Sequence, residues 1–230
     1  MGIGSVLVVG GTGGIGREVA RHYHQLGHDV TISGRDIERS NEIAAEIGAG
    51  VGALAFDLAE PDTIAEALSG LGPVSRLVLA SVTRDHNPIR EYTIADAVYL
   101  TTMKLVGYTA TISALTDRLS ADSSVVLFGG RSKDRPYPGS TTVTTVNGGV
   151  SSLIRTLGIE LAPVRVNAIH PGIVGDSPFW AGKPLDAVIT RTPTGRLVTM
   201  AEVVDATVFL LENRGINGVN LAIDGGWMLT

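Results

Sequence analysis

The residues with the clearest chemistry form a glycine-rich segment near the start of the chain. It lies between an apolar run at residues 6–9 and a helical pattern. Glycine tolerates positive φ, lets a pyrophosphate approach the backbone, and lets a helix pack close to a strand. Alone such a segment is a tight turn, but after the first strand of a strand–helix series it predicts a dinucleotide-binding turn. The turn consists of Gly10, Gly11, Thr12, Gly13, Gly14, Ile15 and Gly16.

The elements that must position this turn alternate between short apolar runs and longer amphipathic stretches. This alternation is typical of βαβ units and predicts an α/β fold: a Rossmann-type, doubly wound parallel sheet of about seven strands flanked by helices. We expect one domain over residues 1–230. The predicted strands are residues 6–9, 30–33, 53–56, 76–80, 125–128, 165–169 and 219–223, and the clearest helices begin at Gly16, Ile37, Pro61, Thr93, Thr141 and Ala201.

Composition excludes several classes of protein. A net charge of −5, with scattered arginines, offers no basic surface for nucleic acid. The chain has no cysteine, so disulfides, thiolate zinc sites and cysteine nucleophiles are excluded, and we expect no metal site. No apolar run approaches the roughly 20 residues of a membrane span, and no targeting signal is recognised. We therefore expect a cytoplasmic protein without membrane contact.

Several motifs in order along the chain resemble the short-chain dehydrogenase/reductase family. They are the glycine turn, in which only the leading threonine differs, then Asp57-Leu58, residues 165–172 (Arg-Val-Asn-Ala-Ile-His-Pro-Gly), Gly195-Arg196 and residues 224–226. The resemblance implies a nicotinamide dinucleotide. It also implies that Asp57 and Leu58 lie at the adenine, and that ribose and carboxamide contact the backbone of Ala80, Ser81, Val82, Pro171, Gly172 and Ile173.

The end of the second predicted strand bears on which dinucleotide is bound. NAD-selective proteins place an acidic residue there to accept the ribose hydroxyls. Here the segment is Ser33-Gly34-Arg35-Asp36, in which Gly34 carries no charge and Arg35 offers a donor fork for a 2′-phosphate. We therefore expect NADP(H) rather than NAD(H). Asp36 is the alternative ribose ligand, although a helix-capping role explains it more simply.

The positions that carry proton transfer in the family are changed. The family uses a Tyr and a Lys four residues later, a Ser and an Asn. The matching positions here are Val143, Asn147, Gly130 and, approximately, Thr102. A valine offers no proton, although Asn147 can still hydrogen-bond ribose hydroxyls. The resemblance thus implies cofactor binding more strongly than the usual proton relay.

Other residues near the predicted carboxyl edge offer a proton. Ser132 and Tyr137 follow the fifth predicted strand, with Lys133 able to lower a phenol pKa, and His86 follows the fourth. The alternative is that these are solvated loop residues. His170 lies either beneath the nicotinamide or packed at the end of a strand. The histidines at 22, 24 and 28 belong to the first helix and its turn, where exposure explains them.

Three functions fit this pattern. The first is an NADP(H)-dependent oxidoreductase acting on a carbonyl or alcohol with an atypical proton donor. The second is a non-catalytic NADP(H)-binding sensor or subunit, and the third is a non-redox dehydratase, isomerase or cyclase. Residues 176–194 lose the strand–helix rhythm and are interpreted as a substrate lid over a partly apolar small molecule. Apolar helices at residues 98–119 and 143–161 predict a homodimer or homotetramer, with ordinary core packing as the alternative.

Overall fold

A computed structural model describes residues 4–83 and 85–230, and in them seven parallel strands form one sheet. The strand order is β3-β2-β1-β4-β5-β6-β7, so the winding direction reverses between β1 and β4. Open α/β sheets place their sites outside the carboxyl ends of the strands at such a point. The strands are β1 Ser5–Val9, β2 Asp29–Gly34, β3 Gly52–Ala55, β4 Val74–Leu79, β5 Leu119–Phe128, β6 Arg165–Pro171 and β7 Asn220–Ile223.

Helices cover both faces of the sheet. They are α1 Gly14–Gln25, α2 Ile37–Ile47, α3 Pro61–Ala67, α4 Ile94–Thr101, α5 Gly107–Ala114, α6 Thr141–Glu160, α7 Asp186–Arg191 and α8 Met200–Glu212. A π-helical turn at Thr102–Val106 joins α4 to α5. In the described part of the chain, no helix is long and apolar enough to cross a membrane.

The core lies in two layers because successive strand side chains point to opposite faces of the sheet. On one face, Leu7 and Leu127 pack with residues of α4, α5 and α6 such as Ile154. On the other, Val8 packs with residues of α1, α2 and α8 such as Val19. The central strands are therefore buried on both faces, which is why they are continuous apolar runs in the sequence.

The predicted fold class is confirmed, with small differences at the ends of elements. Helix α1 begins at Gly14, two residues earlier than predicted, because its first turn is built from glycines that carry no hydrophobic pattern. Strand β5 begins earlier, at Leu119, where polar residues precede the apolar run. The segment at residues 176–194 was expected to be irregular, but it contains the short helix α7, whose six residues are too few to show a helical period.

Candidate nucleotide and active site

The glycine turn after β1 adopts a conformation that its residues permit and larger ones do not. Gly10 has φ of +82°, and both Gly10 and Gly11 donate backbone hydrogen bonds of 3.1 Å to the Ser33 carbonyl. A Cβ on Gly16 would lie 2.3 Å from the Gly10 carbonyl oxygen, so α1 begins in direct contact with the end of β1. These contacts hold the start of α1 at the switch point of the sheet.

The turn leaves open space over the start of α1. A Cβ placed on Gly13 or Gly14 would meet no atom of the described residues within 4 Å. Gly13 is the N-cap and provides no side chain to bond the first amide groups of the helix. Free amides and the positive end of the helix dipole form an anion site, so this geometry fits a pyrophosphate.

The end of β2 has no room for an acidic side chain at Gly34. A Cβ there would lie 2.7 Å from Thr12 Cγ2 and 2.9 Å from Ser40 Oγ. Asp36 is already engaged, because its Oδ1 accepts a 2.7 Å hydrogen bond from the Arg39 amide as the cap of α2. Gly34 thus carries no acidic group, and one oxygen of Asp36 is bonded to the start of α2.

Arg35 is the exposed charged residue that reaches across the same edge. Its Nη1 donates a 3.1 Å hydrogen bond to the Tyr99 hydroxyl, which lies 3.5 Å from Asp57 Oδ2. Asp57 Oδ1 accepts from the Ala59 amide at 2.8 Å, and Leu58 is buried beside it. The residues expected at the adenine and at its ribose thus lie together around the ends of β2 and β3.

A buried lysine, Lys104, contacts the backbone of the residues that follow β4. Ala80 continues the strand with a 2.8 Å bond from its amide to the Val9 carbonyl, and Val82 is exposed. Between them, the Ser81 carbonyl accepts hydrogen bonds from Lys104 Nζ at 3.0 Å and from the Tyr108 hydroxyl at 2.9 Å. The Ser81 backbone is held directly against Gly10.

Burial lowers the pKa of Lys104 to about 7 and raises the pKa of the Tyr108 phenol. In the described residues no acidic side chain forms an ion pair with Lys104. Lys104 lies in the π-helical turn, a feature frequent at functional sites. Sequence reasoning missed this pair. Its signal was a lysine and a tyrosine at i and i+4 in an otherwise apolar helix.

A polar patch joins the loop after β5 to α6. Asn147 Nδ2 donates a 2.8 Å hydrogen bond to Ser132 Oγ, and Thr144 Oγ1 donates to the Ser132 carbonyl at 3.1 Å. Gly130 lies beside them, since a Cβ there would be 2.9 Å from Asn147 Nδ2. The patch can orient a polar ligand, but none of its groups titrates near neutral pH.

A cavity of about 490 Å³ opens between the loops that follow β4 and β5. Tyr137 lines it and is 51% exposed. His86 is exposed and packs its ring over Gly139, another lining residue. The remaining lining residues are largely apolar or small: Pro88, Ile89, Pro136, Pro138, Ser140, Thr141 and Thr144, with Arg90 and Glu91 at the rim.

The chain resembles known proteins over nearly its whole length. A family model described as Enoyl-(Acyl carrier protein) reductase matches residues 10–228. A 3-oxoacyl-(acyl-carrier-protein) reductase of Mus musculus is 32% identical, with 97% of each chain covered. An L-xylulose reductase of Bos taurus is 28% identical over 97% of this chain and 96% of its own.

A solved short-chain dehydrogenase/reductase of Brucella melitensis, named glucose/ribitol dehydrogenase, superposes with a TM-score of 0.89 at 26% identity. The match covers 97% of this chain and 96% of that one. The chain belongs to the short-chain dehydrogenase/reductase family. The predicted membership is thus confirmed, and with it a nucleotide-binding oxidoreductase framework.

The positions predicted to match the family's proton relay lie close together in the structure. Val143 and Asn147 lie one turn apart on α6. Gly130 lies two residues after the end of β5, and Thr102 begins the π-helical turn. Of the alternative donors, Ser132 lies at this patch, whereas Tyr137 and His86 lie at the neighbouring cavity.

Asp85 is a further acidic group beside the same positions, and sequence reasoning did not single it out. Its carboxylate interacts with the Thr142 side chain and the Val143 amide at the start of α6. Its Oδ2 is out of contact with solvent and has no hydrogen-bond partner in residues 4–83 and 85–230. Burial, and then repulsion by Asp96, raises the pKa of Asp85, against the opposing effects of Thr142, Val143 and His86.

His170 is packed at the end of β6. It is buried, and its Nε2 lies 2.8 Å from Asn220 Oδ1 and 3.3 Å from Ser151 Oγ. Its Nδ1 has no hydrogen-bond partner in the described part of the chain and points at Gly129. Burial lowers the pKa of His170 to about 4, against the hydrogen bond to Asn220. A neutral imidazole here supports packing of the strand end rather than proton transfer near pH 7.

The backbone after β6 leads from the sheet to residues 176–194. Gly172 donates to the Ile223 carbonyl at 2.9 Å, which holds residues 171–173 beside β7. Within residues 176–194, Phe179 and Trp180 meet edge to face with ring centroids 4.8 Å apart. Lys183 Nζ lies 3.2 Å from the Phe179 ring centroid. Among the described residues, no group of three or more His, Asp or Glu could hold a metal ion.

Proposed function

We propose that this chain is an NADP(H)-dependent oxidoreductase that acts on a carbonyl or alcohol with an atypical proton donor. The observation that carries the choice of dinucleotide is the crowding at Gly34, where a side chain would collide with Thr12 and Ser40. An acidic residue cannot enter that position without displacing them. Since Asp36 caps α2, Arg35 is the charged group best placed to meet a ribose phosphate.

The glycine turn supplies the rest of the dinucleotide site. Amides at the start of α1 would meet the pyrophosphate, Asp57 would lie at the adenine, and Asn147 would bond the nicotinamide ribose. Residues 80–82 and 171–173 would line the ribose and carboxamide with backbone groups. When bound, the reduced nicotinamide supplies a hydride to a carbonyl carbon. The chain must orient that carbonyl, exclude water and deliver a proton to its oxygen.

The substrate would occupy the cavity beside Tyr137. Its lining of prolines, Ile89 and small polar residues favours a small molecule that is apolar in part. Residues 176–194 would cover the bound substrate as a lid, with Phe179 and Trp180 as its aromatic surface. The names of two relatives supply first compounds to test, a 3-oxoacyl thioester and L-xylulose.

Two measurements test this proposal. Calorimetric titration should give a tighter Kd for NADPH than for NADH. Mixing the protein with NADPH and a panel of aldehydes, ketones, 3-oxoacyl thioesters and L-xylulose should give loss of absorbance at the nicotinamide band. Tighter binding of NADH would contradict the dinucleotide assignment, and no oxidation with any compound would contradict the reaction.

The second candidate is a non-catalytic NADP(H)-binding protein. It is favoured by Val143 and Asn147, which remove the ionisable pair from α6. This candidate expects NADPH binding of micromolar affinity with no turnover, together with a stable protein partner. Turnover of any carbonyl compound by the purified chain would exclude it.

A further inference from the structure

We propose that Lys104 is a positioning residue of the dinucleotide site, and that a bound dinucleotide draws a proton from solvent onto its amine. The inference rests on the proposed dinucleotide site at the glycine turn. It adds to that site a buried group whose charge responds to the ligand. Lys104 would act through the backbone of Ser81 and would not touch the ligand itself.

Lys104 supports the glycine turn through one backbone group. Its Nζ donates a 3.0 Å hydrogen bond to the carbonyl of Ser81, which lies two residues after β4. Ser81 also packs against the turn, since a Cβ on Gly10 would lie 2.6 Å from the Ser81 amide nitrogen and 2.7 Å from its Oγ. The winding of the sheet reverses between β1 and β4. A side chain that holds Ser81 therefore holds one side of the crevice at the switch point.

Lys104, Ser81 and Tyr108 close a ring of three hydrogen bonds. Lys104 Nζ lies 3.1 Å from the Tyr108 hydroxyl, which itself donates to the Ser81 carbonyl at 2.9 Å. The ring takes two N–H donors from Lys104, and an ammonium or a neutral amine can supply both. A proton can therefore arrive at Nζ or leave it without breaking the ring.

The ammonium form of Lys104 has no counter-charge in residues 4–83 and 85–230. The side chain is 5% exposed, and no described carboxylate pairs with it. The titratable group in contact with it is Tyr108 of α5, and burial raises the pKa of that phenol, which therefore stays neutral. Helices α3, α4 and α6 also pack against the π-helical turn, but no described charge on them shifts the pKa of Lys104. Burial alone lowers this pKa to about 7.

The glycine turn is the place where an anion would approach this lysine. The free amides at the start of α1, and the open space beside Gly13 and Gly14 in the described part of the chain, fit a pyrophosphate. A charge away from water is costly, so a negative charge brought to the end of β1 favours the ammonium form. The pKa of Lys104 would rise, and protonation would tighten dinucleotide binding by the same factor.

Lysine-selective ¹³C labelling reads the amine directly by NMR. The chain has three lysines, so Lys133 and Lys183 serve as internal references. In the free protein the Lys104 Cε signal should titrate with a midpoint near pH 7. Saturating NADPH should raise that midpoint by about one pH unit, which corresponds to a coupling of about tenfold. An unchanged midpoint with NADPH bound would overturn the proposal and leave the dinucleotide site intact, whereas no binding by wild type would overturn both.

Calorimetry in buffers of different ionisation enthalpy counts the protons taken up on binding. At pH 8, a tenfold coupling predicts uptake of about 0.4 proton per NADPH by wild type. The 2′-phosphate is already ionised at this pH, because the second pKa of a phosphate monoester is about 6. Lys104→Met should lose this uptake and bind NADPH more weakly. Equal uptake by wild type and Lys104→Met would contradict the assignment.

Two further variants separate the charge of Lys104 from its packing. Tyr108→Phe removes one bond to the Ser81 carbonyl but keeps the amine, so it should keep the proton uptake even where binding weakens. His22→Gln, near the C-terminal end of α1, is the control and should keep both the uptake and the Kd of wild type. A purely structural role for Lys104 would weaken binding in Lys104→Met without changing the proton count, and that result would overturn the proposal.

Discussion

Arg35 Nη1 lies 3.1 Å from the Tyr99 hydroxyl, so the guanidinium is held over the edge where an adenosine ribose would lie. We expect Arg35→Ala to weaken NADPH binding about tenfold or more, because a charge-assisted hydrogen bond contributes about 1.5–3 kcal/mol. NADH has no 2′-phosphate, so its Kd should change little. Titration of both dinucleotides checks this, with Arg39→Ala, an exposed arginine paired to Glu42, as control. Equal weakening of NADPH and NADH would remove Arg35 from phosphate recognition.

Two glycines of the same turn should respond differently to alanine. At Gly16 a Cβ would lie 2.3 Å from the Gly10 carbonyl, so Gly16→Ala should lower the free energy of unfolding, by about 1–3 kcal/mol for overpacking. Gly13 has φ of −170° and open space in the described part of the chain, so Gly13→Ala should fold normally. Its methyl group would instead enter the pyrophosphate site and weaken NADPH binding. Urea unfolding and dinucleotide titration of both variants separate the effects, and normal binding by Gly13→Ala would argue against that pyrophosphate position.

Lys104 should make stability depend on pH above neutrality. Its folded pKa of about 7 lies below the usual value, so between pH 7 and 9 the unfolded chain binds more protons than the folded one. The stability contribution of Lys104 therefore rises with pH in this window and is lowest below pH 7. The free energy of unfolding of Lys104→Met minus that of wild type should fall by about 2 kcal/mol from pH 7 to pH 9. Urea unfolding at several pH values measures this difference, and a pH-independent difference would contradict the lowered pKa of Lys104.

His170 should make the free energy of unfolding depend on pH below neutrality. Its folded pKa of about 4 lies below the unfolded value, so the unfolded state binds more protons between pH 4 and 6.5. The stability associated with the neutral imidazole is complete above pH 6.5 and is lost as pH falls through this window. Wild type should lose about 1–3 kcal/mol more than His170→Gln between pH 6.5 and 4. An equal loss of stability in wild type and His170→Gln between pH 6.5 and 4 would contradict the lowered pKa of His170.

The helices α5 and α6 should carry a contact between copies of the chain. A groove between them is lined by Leu105, Thr109, Gly149, Ser152, Leu153 and Thr156. Nearby Val106 is 48% exposed and Ile159 is 79% exposed. We expect a homodimer or homotetramer by light scattering at micromolar concentration. Leu153→Glu should reduce the assembly, since a charge in an apolar contact is costly to desolvate, while Glu42→Gln on α2 should leave it unchanged. A monomeric wild type would contradict the prediction.

Much of the fold follows from local chemistry in the sequence. Strands buried on both faces must be apolar throughout, so runs such as residues 6–9 and 125–128 are visible without a structure. The glycine turn is equally visible, because positive φ and close backbone approach exclude other residues. Helix α7 was not predicted, because six residues do not establish a helical period.

The residue types at the predicted relay positions are readable from the sequence, and Val143 and Asn147 have no ionisable group in any conformation. Which groups stand near them was not readable. Asp85 and Thr142 are 57 positions apart by their numbers in the chain, and the parallel winding of the sheet brings them together at one edge.

The sequence by itself therefore determined the fold class and the nucleotide turn and predicted the loss of the usual relay, because each depends on residue type and short-range spacing. Only the tertiary structure decided that Gly34 has no room for a side chain, that Asp36 caps α2, and that Lys104 loses solvent. The physical reason is that burial and collision depend on neighbours from distant parts of the chain. The same reason applies to Asp85, whose proton affinity depends on side chains that only folding places around it.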